Sequence, residues 1–204
     1  MVTIGIELNH VVRNINKQIV KYYSKAFDPS ADIDEIDTLQ NVFLTYAKFD
    51  SKIDKYNFLY IDYPYEIFGC ADTIEKGLSV KITNWLRDIS DIEDEDIRII
   101  FYSMDEDALT IQSTYFFLSK IGTRVRKVIF PKNESEVYDE CDVIITASDR
   151  FLSEDSMPEG KKVVLINRPF NENVKDLSDL NYDNLSDVIA DNEFFKKIGV
   201  KDED

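Results

Sequence analysis

Five short apolar runs constrain the fold of this chain more than any other feature: Val2–Leu8, Ile97–Tyr102, Val125–Phe130, Val143–Thr146 and Val163–Ile166. Runs this short and this continuously apolar read as strands buried on both faces. Between them lie segments with helical spacing. Arg13–Ala26 repeats Ile15, Ile19, Tyr22, Tyr23 and Ala26, and Thr110–Ile121 offers Ile111, Tyr115, Phe117 and Leu118 to a sheet. Alternating strands and helices predict a doubly wound, parallel, Rossmann-like α/β sheet with its functional crevice at the carboxyl ends of the strands.

From Phe27 to Asp96 the character changes. Acidic turn material (Asp28-Pro29-Ser30) leads into aromatic segments around Val42–Phe49 and Tyr56–Phe68, and then into a helix expected over Thr73–Ile89 with Trp85 on its apolar side. The expected organisation is an α/β core of residues 1–26 and 97–204, with a small helical, cap-like insertion over 27–96. The tail from Leu185 reads as one or two short helices with an acidic end.

Forty acids against 24 bases leave a net charge of −16. Such a chain repels phosphate backbones and anionic lipid, so neither nucleic acid nor membrane is an expected partner. The tight cluster of bases at Arg124, Arg126 and Lys127 sits on an alternating segment and reads as a solvated strand face. Cys70 and Cys141 have no metal-ligand spacing, and with one His the chain assembles no ordinary zinc site. No window approaches 18 apolar residues and the start lacks a signal-peptide pattern, so synthesis and residence in a cytoplasm are expected.

Ile4-Gly5-Ile6-Glu7-Leu8-Asn9-His10-Val11-Val12 has the shape of the first motif of the haloacid dehalogenase-like (HAD-like) proteins, in which an apolar strand delivers an Asp-x-Asp pair into a tight loop. Ile99-Ile100-Phe101-Tyr102-Ser103 resembles the second motif, and Lys120 follows where the third has its Lys. Cys141-Asp142-Val143-Ile144-Ile145-Thr146-Ala147 is similar to the strand that ends in the paired acids of the fourth. Val163 to Asn171 resembles the strand and Pro-aromatic-Asn ending of nucleotidase-type members. The Glu66-Ile67-Phe68-Gly69 turn, the Thr114–Lys120 helix and the Ile145-Thr146-Ala147 strand end further resemble HAD-like proteins of tailed bacteriophages.

The resemblance implies phosphoryl transfer in which the first Asp attacks phosphorus, the second moves a proton, and Mg²⁺ is held between the nucleophile and a late acid. These positions are degenerate here. Glu7 stands at the first, and its extra methylene moves the carboxylate by about 1 Å, a misplacement that can cost roughly 10²-fold. Asn9 at the second shuttles no proton. Thr146 and Ala147 replace the acids that hard Mg²⁺ requires. Ser103 and Lys120 retain the phosphate-facing types; they read either as an anion site or as ordinary structural residues. Asp149 reads as a turn or cap residue, with a shifted metal ligand as the other reading. His10 occupies a place where many members carry Gly or Thr, and would narrow the crevice.

The expectation is a catalytically inactive HAD-like protein without metal or other cofactor. It would act through protein partners, as a homo-oligomer or with other proteins of a phage virion such as a neck, tail or capsid-associated assembly. The tyrosines at 22, 23, 46, 56, 60, 63 and 65 support an interface, or equally pack the lobe. The alternative is a Mg²⁺-dependent phosphatase or 5′-nucleotidase using Glu7, Ser103 and Lys120. A third reading is a regulatory binder of a nucleotide or phosphoprotein at Ser103 and Lys120.

Overall fold

The computed structural model describes residues 1–27, 49–90, 97–104, 108–123, 125–152 and 157–200. Its centre is a six-stranded, all-parallel sheet: β1 (Val2–Glu7), β2 (Ile97–Tyr102), β3 (Val128–Ile129), β4 (Val143–Thr146), β5 (Lys162–Ile166) and β6 (Leu180–Tyr182). The order is β3-β2-β1-β4-β5-β6, every adjacent pair parallel. The doubly wound parallel sheet expected from the apolar runs is therefore present. No helix among the described residues is long and apolar enough to cross a membrane.

Alternation along each strand sorts its side chains onto two faces. On one, Ile4, Ile6, Ile99, Phe101, Ile145 and Val164 form a cluster with Leu78, Ile82 and Trp85 of helix α3 (Leu78–Ser90) and with Phe117 and Leu118 of α4 (Ala108–Ile121). The same cluster takes in Leu185 and Val188 of α6 (Leu185–Ala190) and Phe194 of α7 (Phe194–Lys197). On the other, Ile100, Tyr102, Ile144, Val163 and Leu165 meet Val137 and Tyr138 of α5 (Glu134–Glu140), together with Cys141 and Phe151. Asn133 caps α5 by accepting the Glu136 N–H at 3.0 Å.

A third cluster belongs to the lobe. Ile15, Ile19 and Tyr23 of α1 (Ile15–Phe27) pack with Phe58, Leu59, Ile67 and Phe68. The latter lie on two π-helical turns, Phe58–Asp62 and Tyr65–Gly69, that follow the short helix α2 (Lys52–Asn57). Apolar packing thus crosses the boundary expected at residue 27, because α1 joins the lobe. The α3 helix, expected within the insertion, packs on the sheet. Of the tyrosines named above, Tyr23 is buried in this cluster, Tyr22, Tyr60 and Tyr63 lie half-buried against it, and Tyr56 and Tyr65 are exposed. Tyr46, most of the Val42–Phe49 segment and Arg124 lie outside the described residues.

Three details differ from the expected elements. The third strand is only Val128–Ile129, and of the residues before it Lys127 contributes its carbonyl alone, accepting the Phe101 N–H at 3.1 Å. The helix expected from Thr73 begins at Leu78, after Gly77 turns the chain with φ 78°. The sixth strand has three residues and no apolar run to announce it.

At one position the sheet tolerates no side chain. A Cβ on Gly5 would stand 2.5 Å from the Cys141 Sγ, with Tyr102 Cδ1 at 3.4 Å. Gly5→Ala is therefore expected to destabilise the chain by about 2 kcal/mol through overpacking, read by denaturant unfolding. Adding Cys141→Ala removes the sulfur and should recover most of the loss; equal stability of the single variant and wild type would refute the contact.

Candidate functional site

In an open parallel sheet the ligand crevice lies beyond the carboxyl ends of the strands, where the strand order reverses. Here that place is between β1 and β4, whose register sets Ile6 opposite Ile145 and so brings Glu7 beside Thr146. The Glu7 side chain points to the α5 face and is 6% exposed. The Thr146 hydroxyl donates to its Oε2 at 2.6 Å and the Ala147 N–H donates to the same oxygen at 3.0 Å. Burial raises the Glu7 pKa above the usual carboxylate value, against those hydrogen bonds and the more distant charge of Arg150. Tyr102 lies fully buried on the same face. Burial, and then the charge of Glu7, push the Tyr102 pKa well up.

Beyond Glu7 the chain makes a tight turn. The Val12 and Arg13 N–H groups both donate to the Leu8 carbonyl, at 3.0 and 2.8 Å, and the His10 N–H donates to the Arg13 carbonyl at 3.0 Å. His10 takes φ 63°, a left-handed conformation uncommon for a residue with a side chain. Its carbonyl accepts from Arg168 Nε and Nη2 at 3.1 and 2.9 Å, and its ring meets Phe170 edge-on at 5.4 Å. Burial, Arg168 and Arg13 lower the His10 pKa to about 4, so the ring is neutral at physiological pH. Asn171 braces the same end of the sheet, donating to the Ala147 and Ile166 carbonyls at 2.8 and 2.9 Å.

The turn folds Arg13 inward, where it is completely buried. Its Nε and Nη2 donate to Asn9 Oδ1 at 3.0 and 2.7 Å, and Nη2 also reaches Ser103 Oγ at 3.2 Å. Nη1 donates to Thr114 Oγ1 at 2.7 Å and to the Phe68 carbonyl at 3.1 Å. The guanidinium lies over the rings of Phe68 and Phe117, 5.2 and 5.4 Å from their centroids. One side chain thus joins the β1 turn, the end of β2, helix α4 and the lobe. A planar fork of five donors suits this; a lysine does not.

No protein-family model matches the chain, and no curated protein does. Among solved structures it is similar to a protein of Burkholderia xenovorans LB400 named as a haloacid dehalogenase-like hydrolase, over 94% of this chain and 96% of that one. The two superpose with a TM-score of 0.55 at 9% identity. The fold is HAD-like.

Within the HAD-like frame the motif positions Glu7, Asn9, Ser103, Thr146 and Ala147 do converge on one end of the sheet. Lys120 is exposed, its Nζ donates to the Ala71 carbonyl and lies 5.8 Å from the centroid of the Phe117 ring that the Arg13 guanidinium also covers. The cation that bonds Ser103 among the described residues is Arg13, which the apolar spacing had placed at the start of a helix. Asp149 is exposed at the first position of a 3₁₀ turn, whose Ser148 cap accepts the Arg150 N–H at 3.3 Å.

The HAD-like fold ordinarily implies Mg²⁺, and the residues here do not fit it. Mg²⁺ is held octahedrally by oxygens, usually one or two ionised carboxylates completed by waters and substrate phosphate. Glu7 is biased toward its neutral form, the Asn9 oxygen is already held by a guanidinium, and Thr146 and Ala147 carry no charge. Among the described residues no three His, Cys, Asp or Glu side chains are placed so that they could hold a metal ion together.

Proposed function

We propose that the chain is a HAD-like protein without phosphoryl-transfer activity, working as a structural or interaction component, in keeping with the phage-type motifs as part of a virion assembly. The observation that carries this reading is Arg13. A buried guanidinium bonded to Asn9, Ser103 and Thr114 sits among the residues that would face a phosphoryl group and a cation. Displacing it would take a charged donor from Asn9 Oδ1 and the buried Phe68 carbonyl and would have to find the guanidinium an equally good set of partners, a cost that opposes entry of a ligand.

Hydrolysis of a chromogenic phosphate ester with Mg²⁺ tests the catalytic half, with Glu7→Ala as control. No turnover above that variant is expected. Mg²⁺-dependent hydrolysis abolished by Glu7→Ala would instead establish the phosphatase or nucleotidase reading, with which the shared fold is compatible. Mass spectrometry of purified virions tests the other half: the polypeptide is expected there, and its absence would remove the virion role.

A further inference from the structure

Helix α1 differs in charge from the chain as a whole. Although the chain carries −16 overall, α1 contains Lys17, Lys21 and Lys25 and no acid. Spacing of four residues sets these three along one side of the helix, over about 12 Å. Lys17 is paired with Asp72 at 3.4 Å. Lys21 and Lys25 instead lie over the Tyr22 ring, at 5.5 and 5.1 Å from its centroid, with Tyr63 packed against it at 5.4 Å. The helix presents a basic stripe with an aromatic at its centre.

The far edge of the sheet has the opposite character. Between Pro169 and Glu193 the chain carries seven acids and, as its one base, Lys175. Asp179 is spent on the Val163 N–H, and Asp191 on Lys197 and Tyr182. Glu172, Asp176, Asp183 and Asp187 are exposed. Glu172 and Asp183 also line an open cavity of about 360 Å³ at the carboxyl ends of β5 and β6, walled further by Asn167, Arg168, Pro169 and Lys175. The Arg168 guanidinium donates to the His10, Asn167 and Asp183 carbonyls, and Asp183 Oδ1 accepts the Asn167 amide at 3.0 Å, so Glu172 and the other Asp183 oxygen are the acidic groups of the cavity.

We propose that the α1 stripe of one copy docks on this acidic edge of a second copy, with a lysine entering the cavity between Glu172 and Asp183. The two faces are different surfaces, so the contact is heterologous: it propagates head to tail and gives a ring or filament rather than a closed pair. Charge complementarity between the faces favours another copy of this chain as the occupant. At about 0.1 M salt the screening length is about 10 Å, which weakens repulsion between the distant acids of two copies more than attraction across the contact. The proposal names a partner for the interaction role above and rests on that reading. Its test reads association state and not turnover, so an active chain that assembles refutes only the earlier reading, and an inert monomer refutes only this one.

Sedimentation velocity of the full chain at about 0.1 M and about 1 M NaCl provides the test. Species larger than a dimer are expected at the lower salt and monomer at the higher, where the screening length falls to about 3 Å. Lys21→Gln with Lys25→Gln should be monomeric, as should Glu172→Gln with Asp176→Asn and Asp183→Asn. All of these positions lie at the surface, and unchanged melting curves would confirm that both variants fold. Mixing the two variants leaves one complementary contact per pair and should give a one-to-one heterodimer that grows no further. A wild-type chain that stays monomeric at the lower salt overturns the proposal. So does an oligomer that persists in either variant, or a mixture in which no heterodimer forms.

Discussion

Replacing Arg13 by Met is expected to cost about 3–5 kcal/mol, the range for removing one member of a buried charged network. The loss comes from what the guanidinium leaves behind. Asn9 Oδ1, the Phe68 carbonyl, Thr114 Oγ1 and Ser103 Oγ all accept from it, in surroundings where water has little access. Each acceptor left without a donor costs about 1–3 kcal/mol, and partial relaxation keeps the total below their sum. Against a net stability of about 5–15 kcal/mol for a domain, this brings the chain near unfolding. Arg13→Lys should recover only part of the loss, because an ammonium cannot reach both ends of the fork. Denaturant unfolding measures both variants; a cost under about 1 kcal/mol for Arg13→Met would show that the guanidinium does not hold the core and lobe together.

Glu7→Gln is expected to stabilise the chain at neutral pH, and by a margin that depends on pH. Burial raises the Glu7 pKa, so the folded chain keeps a proton that the unfolded chain releases once the pH exceeds the ordinary carboxylate value. The contribution of Glu7 to stability is therefore full below that value and is lost as pH rises through the folded pKa. Within this window the wild type should fall relative to the variant by up to about 1.4 kcal/mol per pH unit. Gln keeps an oxygen for the Thr146 hydroxyl and the Ala147 N–H, and has no proton to lose. Urea unfolding of both proteins from acid to neutral pH follows the difference. Parallel curves would mean that Glu7 titrates like an exposed carboxylate, and a variant less stable at neutral pH would mean that its charge is needed.

Much of the sheet was legible because buried parallel strands announce themselves as unbroken apolar runs, and four of the five runs match the observed strands to within one residue at one end. The third shrank to Val128–Ile129, where basic residues alternate with apolar ones and only two residues pair. The sixth strand was invisible: Leu180-Asn181-Tyr182 is too short to show a period and pairs through backbone that any sequence supplies. The placement of α1 was hidden for a different reason. Periodicity shows that Ile15, Ile19 and Tyr23 share a face, but which apolar cluster receives that face is a tertiary matter.

The site divides in the same way. Glu7, Asn9, Ser103, Thr146 and Ala147 follow strand ends, so their convergence could be read from the motif order. Arg13 could not, since an arginine near a helix start is ordinarily solvated. A turn beginning at Leu8, with His10 in the left-handed region, is what rotates it inward. Lys120 marks the converse: its motif position was legible, while its bond to the Ala71 carbonyl depends on the path of the lobe.

On the function proposed above, the crevice beside Glu7 is filled by the chain's own side chains and takes up neither a divalent cation nor a transferring phosphoryl group. Soaking crystals with Mg²⁺ and orthovanadate checks this. The expected density shows the Arg13 guanidinium still seated on Asn9, Ser103 and Thr114, and Glu7 still held by Thr146 and Ala147. An octahedral cation against Glu7, with vanadium in line with its carboxylate and Arg13 turned out of the pocket, would contradict it.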